Sequence, residues 1–203
     1  MDPAAHPGAG RPRDRSIDRR VLAEVRHRLA EGGYESLSVA AVAAAAGTTR
    51  AAIYRRWPDK ADLATAAIAD LPEAGPQQVT DDAFADLVAE LAAFQRGVSR
   101  PDGVPMVGTM LLGSTDALLV ERYRERVVRP RRTRLRRILE RGQASRVLDE
   151  HADLDLAVTL CTGSWYAAAL AGVAPPADWA ERVAALVWRS CGGEPPAASG
   201  QPR

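Results

Sequence analysis

The sequence predicts an all-α protein of about nine helices, and three observations carry that expectation. Apolar residues recur at three- and four-residue spacings almost throughout, which is the period of one helix face. Alanine is abundant while aromatic residues make up only 5% of the chain, and strands favour aromatic and β-branched side chains. Most glycines and prolines fall between the periodic segments, where they end helices. At 203 residues, 46% hydrophobic and 26% charged, the chain has an ordinary globular composition and can bury a core without staples.

Each element has its own signals. Ser16 caps a first helix over residues 16–31, with Ile17, Val21, Val25 and Leu29 on one stripe, and Gly32-Gly33 ends it. Ser38 starts a second helix that runs to residue 46, Gly47 makes a turn, and a third helix covers 49–57 before Pro58 stops it. Asp59 caps a fourth over 60–71, and residues 72–78 form a breaker-rich joint. The fifth spans 80–98 with Phe84, Leu87, Leu91, Phe94 and Val98 on one face. A short helix over 105–112 precedes a long one over 116–143, which Pro130 should kink. The eighth and ninth cover 154–171 and 177–190, separated by Pro175-Pro176. Residues 1–14 read as a disordered basic arm and 192–203 as a disordered tail, both rich in Pro, Gly and Ala. The ordered part divides into a small unit over 15–60 and a larger one over 61–191.

The net charge of +1 is unevenly spread. Residues 1–60 hold ten arginines and the chain's one lysine, Lys60, against seven acids. That excess fits a nucleic-acid footprint. A second cluster, eleven arginines between 122 and 146 against Glu125 and Glu140, lacks any turn-and-cap signal for groove insertion and reads as the solvated face of a long helix. Cys161 and Cys191 fall in different predicted helices without metal-ligand spacing, so a reduced, cytoplasmic setting and no metal are expected. No run of ~18 apolar residues and no signal core is seen, so neither a membrane span nor secretion is expected. His151, Asp153 and Asp155 read as a loop and helix start, and there is no glycine-rich phosphate loop. Neither catalysis nor a cofactor is indicated.

Residues 34–60 are the most specific stretch. Two short helices flank Gly47, and the second begins with hydroxyls and an arginine and closes on Tyr-Arg-Arg-Trp-Pro. Thr48 and Thr49 can cap its N-terminus. Arg50, in the first turn, can reach a base edge. Tyr54, Arg55 and Arg56 offer phosphate partners. Trp57, four residues after Ile53, belongs to the core. Arg11, Arg13 and Arg15 are either a solvated tail or an arm for the minor groove.

The segment from Arg15 to Leu71, with Ala-Ala-Gly-Thr-Thr-Arg-Ala-Ala-Ile-Tyr-Arg-Arg-Trp-Pro-Asp-Lys at its heart, resembles the TetR family of one-component transcriptional regulators. The resemblance implies an N-terminal three-helix, helix-turn-helix DNA-binding domain and a larger C-terminal helical domain for ligand binding and dimerisation. It puts Arg50 on base edges, Thr49 at the head of the recognition helix, and Tyr54, Lys60 and Ser38 on phosphate. Here Ala41 stands where the family often has an acid, Ala52 where it often has Thr or Ser, Arg56 where it often has His, and Trp57 where it usually has Phe. The second half resembles, more loosely, a C-terminal type in which a long basic helix precedes a Gly-Ser-Trp-Tyr helix.

The expected partners are a double-stranded DNA operator, a second copy of the chain, and an unidentified small-molecule effector. The last two helices, with the small Ala167, Ala168, Ala171 and Gly172 and then Leu186, Val187 and Trp188, would form a homodimer interface. Phe94, Met106, Met110, Leu160, Trp165 and Tyr166 are the candidate pocket residues, soft or aromatic side chains suited to an apolar ligand. The function expected is a repressor on a palindromic operator, released by a small, largely apolar ligand. The alternative is a helical ligand-binding or scaffold protein without specific DNA binding, which the set Thr49, Arg50, Tyr54 and Lys60 opposes.

Overall fold

The computed structural model of the chain describes residues 15–100 and 116–196. The described residues form helices and connecting turns and contain no strand. In chain order the helices are α1 (Arg15–Ser36), α2 (Val39–Ala45), α3 (Arg50–Tyr54), α4 (Lys60–Ala69), α5 (Ala83–Val98), α6 (Ala117–Tyr123), α7 (Arg129–Ala144), α8 (Leu154–Leu170) and α9 (Trp179–Ser190). A 3-10 turn, Pro72–Ala74, follows α4. The short helix expected over 105–112, with Met106 and Met110, lies outside the described residues.

Sequence signals set most boundaries. α1 breaks at Gly33, whose φ of 69 is cheap only without a Cβ. Asp59, Asp82, Asp116 and Asp153 each accept a backbone N–H at the head of the following helix. α3 ends at Tyr54, short of the expected residue 57, but helical backbone bonds run on to Trp57, and Pro58, which has no N–H, stops them.

The long helix around Pro130 is interrupted as expected, but by a wide turn rather than a break. Arg124–Val128 is a π-helical turn in which the Arg129 N–H reaches back to the Arg124 carbonyl. Pro130 has no N–H to donate and its ring crowds the carbonyl four residues earlier. Slipping the register by one residue just before it accommodates both problems.

Burial separates two cores. The first joins Val21, Val25 and Leu29 of α1, Val42 of α2, Ile53 and Trp57 around α3, and Leu63, Ala64 and Ile68 of α4, with Leu119 and Tyr123 of α6. α4, assigned by sequence to the second unit, contributes its apolar residues to the first core. The second core joins Leu87, Leu91 and Phe94 of α5, Leu135 and Leu139 of α7, Cys161 and Trp165 of α8, and Val187 and Trp188 of α9. Cys161 is fully buried, and burial pushes its thiol up to about 12. It is inert side-chain volume, as its isolation in sequence suggested.

The basic segment departs from the expected solvated face. Glu90, 1% exposed on α5, accepts from Arg134 at 2.8 Å and from Arg131 at 3.3 Å. Asp86, one turn earlier, is met by Arg141 and by the Thr80 hydroxyl at 2.8 Å. Burial alone would raise the Asp86 carboxyl, but these donors outweigh it and hold the group below its ordinary value. Buried Asp62 of α4 takes Arg126 of the π-turn at 2.5 Å. Sequence reading missed this because the partner acids lie some 40–60 residues away, on apolar helices where each looks like a lone polar residue.

Breaking such a pair leaves buried charge without a partner, so Glu90→Ala should destabilise the fold by about 3–5 kcal/mol. Glu140→Ala removes an exposed partner of Arg136 and should cost no more than about 1 kcal/mol. Urea unfolding of the two variants checks this ordering, and equal losses would contradict it.

Candidate nucleic-acid interface

The helix-turn-helix is built from α2, α3 and the turn between them. Gly47 sits at φ 65 in open space, so its role is conformational. Its N–H donates to Ala44 O at 3.2 Å and the Thr48 N–H to Ala43 O at 2.9 Å, which closes α2 in a Schellman motif. The Thr49 hydroxyl accepts from the Ala52 N–H at 3.1 Å and caps α3. Ser38 caps α2 through a longer bond, 3.4 Å, to the Ala41 N–H. Ile53 and Trp57 bury the inner face of α3 in the first core.

With those two side chains inward, Arg50, Tyr54 and Arg55 face solvent. Tyr54 is 39% exposed and is not part of the core. Ser38 and Thr49 are exposed and Thr48 is half-buried beside them. Lys60, at the first residue of α4, donates to Glu35 O at 3.1 Å and lies 4.4 Å from the centre of the Tyr34 ring. That ring is itself fixed, because its hydroxyl donates to Asp116 at 2.9 Å. Burial and this bond to a carboxylate raise the Tyr34 hydroxyl above its ordinary value, so it stays a donor.

Arg56 sits differently from the other residues of the expected contact set. Its guanidinium turns back onto Asp18 of α1 at 2.7 Å and onto Ala52 O at 3.0 Å. Ser38, Thr49, Arg50, Tyr54 and Arg55 face outward or cap, whereas Arg56 ties the recognition helix to α1. The helical backbone bonds continue to Trp57, so Arg56, three residues after the buried Ile53, lies beside the inner face of the helix. Arg20 and Arg26 of α1 act likewise, donating to Ala46 O at 3.2 Å and Ala67 O at 2.9 Å. These three arginines hold α2, α3 and α4 on one scaffold.

The candidate pocket residues are divided by the structure. A cavity of about 40 Å³ lies between the two cores, lined by Ile68, Leu71, Phe94, Val98, Tyr123, Arg131 and Tyr166 among others. Phe94 and Tyr166 are among the candidate residues that line it. Trp165 is buried but packs edge-on against Phe94 and Trp179, filling core instead of lining the cavity. Leu160 is 41% exposed on the outer face of α8 and does not line this cavity. Met106 and Met110 lie outside the described residues. Sequence reading missed Leu71, Tyr123 and Arg131, for which only three-dimensional proximity is a signal.

α8 carries a second exposed feature. Leu156, Leu160, Ala167 and Leu170 lie on one stripe of the helix and face outward. Leu186 of α9 is exposed too, whereas Val187 and Trp188 are core.

A capped recognition helix locked to a three-helix scaffold, ahead of a larger helical unit, defines a transcriptional regulator with an N-terminal DNA-binding domain and a C-terminal ligand-binding domain. Residues 22–67 match the model of bacterial regulatory proteins of the tetR family, and residues 78–187 match the tetracyclin repressor-like C-terminal domain. The chain belongs to the TetR family of transcriptional regulators, whose members bind DNA and act as homodimers. It is 27% identical over 155 residues to the uncharacterized HTH-type transcriptional regulator YdeS of Bacillus subtilis strain 168, covering 76% of this chain and 78% of that one. A shorter stretch of 63 residues is 46% identical to the uncharacterized HTH-type transcriptional regulator Rv1556 of Mycobacterium tuberculosis strain H37Rv, covering 29% of this chain and 31% of that one. Its fold is shared with the TetR family regulator SCO0332 at a TM-score of 0.67 and 24% identity, over 86% of this chain and 98% of that one. It is shared also with TylP, a TetR regulator from Streptomyces fradiae, at 0.68 and 20% identity, over 88% and 87%. No described helix is long and apolar enough to cross a membrane.

Arg56 and Asp18 should behave as a coupled structural pair. Arg56→Ala and Asp18→Ala should each destabilise the fold, and a double-mutant cycle should return a coupling of about 0.5–1 kcal/mol. Arg50→Ala, with no ion-pair partner to lose among the described residues, should leave the unfolding midpoint unchanged. A coupling of zero would return Arg56 to the solvent-facing set.

Proposed function

We propose that the protein reads a palindromic operator as a homodimer and represses transcription until a small, largely apolar ligand releases it. The observation that carries this reading is the exposed row Arg50, Tyr54 and Arg55 on a helix whose other face is fixed by Ile53 and Trp57. Arg50, in the first turn, reads base edges in the major groove. Ser38, Thr48, Thr49, Tyr54, Arg55 and Lys60 meet phosphate and set the register. Arg56 supports the reader from behind.

Two-fold symmetry is needed to read a palindrome with two such helices. The apolar stripe of α8 with Leu186 of α9 supplies a self-complementary surface for it. On this reading the ligand enters at the cavity between the cores and widens it from about 40 Å³. There Ile68 and Leu71, at the end of α4, face Phe94 and Tyr166. The other end of α4 begins with Lys60. A ligand that wedges this cavity tilts α4 and moves the two recognition helices away from the ~34–36 Å spacing that successive major grooves require. It acts only through its different affinity for the two spacings.

Arg50→Ala should relax sequence preference and cost on the order of 1–3 kcal/mol, while Tyr54→Phe should weaken all sequences about alike. Binding to an operator selected from a random pool, compared with a scrambled duplex, separates the two effects. Equal losses for Arg50→Ala on both duplexes would remove its base-reading role.

Leu160→Glu with Leu186→Glu places charge on the proposed dimer face. The expected result is a folded monomer by light scattering, with operator affinity lost because one half-site is left unread. A dimer that survives both substitutions would move the interface elsewhere.

A further inference from the structure

Eight of the eleven arginines of the basic segment fall into two sets. Arg126, Arg131, Arg134 and Arg141 turn inward onto the buried acids Asp62, Glu90 and Asp86. Arg124, Arg129, Arg132 and Arg136 instead line one open groove of about 400 Å³ between the α6–α7 segment and α8. Among its described lining residues the only carboxylate is Asp155, and it is occupied by Arg136, which also holds Glu140 at 3.0 Å. Arg132 is fixed by the Thr159 hydroxyl at 3.2 and 3.3 Å, a neutral acceptor that leaves its charge uncompensated. Arg124 and Arg129 have no carboxylate partner among the described residues.

Neither the buried clamps nor the recognition helix uses this second set. Like charges at helical neighbour spacing repel one another, so the outer set carries a standing cost that an anion would relieve. We propose that the groove is a binding site for a small ligand bearing adjacent phosphate groups. The Arg129 and Arg132 positions are three residues apart, about 4.5 Å along the helix axis, which suits two neighbouring phosphoryl groups. A guanidinium fork takes phosphate oxygens in a bidentate fashion, and Arg132 is already oriented by Thr159. Asp155 repels the anion at the Arg136 end and directs it towards Arg124, Arg129 and Arg132. Val128 and Val158, at the same groove, offer an apolar seat for whatever the phosphates are attached to. The site stands apart from the cavity between the cores and does not rest on the operator or effector reading.

The test is calorimetric titration of the full chain with inorganic pyrophosphate at constant ionic strength. Saturable binding is expected, tighter for pyrophosphate than for orthophosphate. Arg124→Gln with Arg129→Gln should weaken it by about tenfold or more, since each lost guanidinium removes a charge-assisted contact. Neither side chain holds another part of the protein among the described residues, so circular dichroism and the unfolding midpoint of this double variant should match the parent. Arg137→Gln, an exposed arginine of the same helix outside the groove, should leave binding unchanged. Absent or non-saturable heat would overturn the proposal, as would equal weakening by Arg137→Gln. It is overturned too if the double variant dissociates into monomers, which would make the groove a contact with a second copy. A salt dependence of DNA binding made shallower by about two in the double variant would make it a DNA surface instead.

Discussion

The Glu90 carboxylate, buried on the apolar face of α5, sets the geometry of the second half of the molecule. A lone ionised carboxylate at that depth would cost far more than the helix packing around it returns. It is tolerated because Arg131 and Arg134 reach it from α7 with good hydrogen-bond geometry. Those two arginines are three residues apart and can both point at α5 only in one rotational setting of α7. That setting depends on the π-turn ahead of Pro130, which shifts the register of everything after it. Arg131 then also lies over the Phe94 ring and donates to Glu73 O, so the clamp forms one wall of the cavity between the cores.

α4 is the element the two halves share. Its apolar residues belong to the first core, yet Asp62 is held by Arg126 of the π-turn and Ile68 borders the cavity. The Tyr34 hydroxyl adds a second tie by donating to Asp116, the N-cap of α6; that bond is the main influence keeping the Asp116 carboxyl below its usual range. Displacement of the α6–α7 segment is therefore carried to α4 through specific polar contacts as well as through packing. Interfaces of this kind have discrete arrangements, since close-packed side chains do not deform continuously. This is the physical basis on which occupancy of the cavity would be felt at Lys60, at the opposite end of α4.

The arginines show how one residue type is sorted by context. On α1, Arg20 and Arg26 accept structural duty by reaching backbone carbonyls at helix ends, where the unpaired oxygens are. Arg56 pairs with Asp18, while Arg50 on α3 and Arg55 just after it are exposed and without an ion-pair partner among the described residues. In the basic segment the inward set meets buried acids and the outward set gathers along a groove. The near-zero net charge of the chain conceals this arrangement, because the inward set spends its charge on acids of the same molecule.

The sequence by itself determined the all-α class, most helix boundaries, the helix-turn-helix and the outward position of Arg50 and Tyr54. Those features are local: capping hydroxyls and carboxylates, a glycine at positive φ, a proline that ends a helix, and a four-residue apolar repeat each act within a turn or two. Only the tertiary structure decided that Arg56 faces Asp18, that α4 belongs with the first core, and that Leu160 is exposed while Tyr123 and Arg131 border the cavity. It also decided which of eleven arginines are buried clamps. These depend on which helices meet and at what rotation. A carboxylate such as Glu90 has the same local sequence whether it faces water or two guanidiniums more than forty residues away, so the distinction arises only when the helices pack.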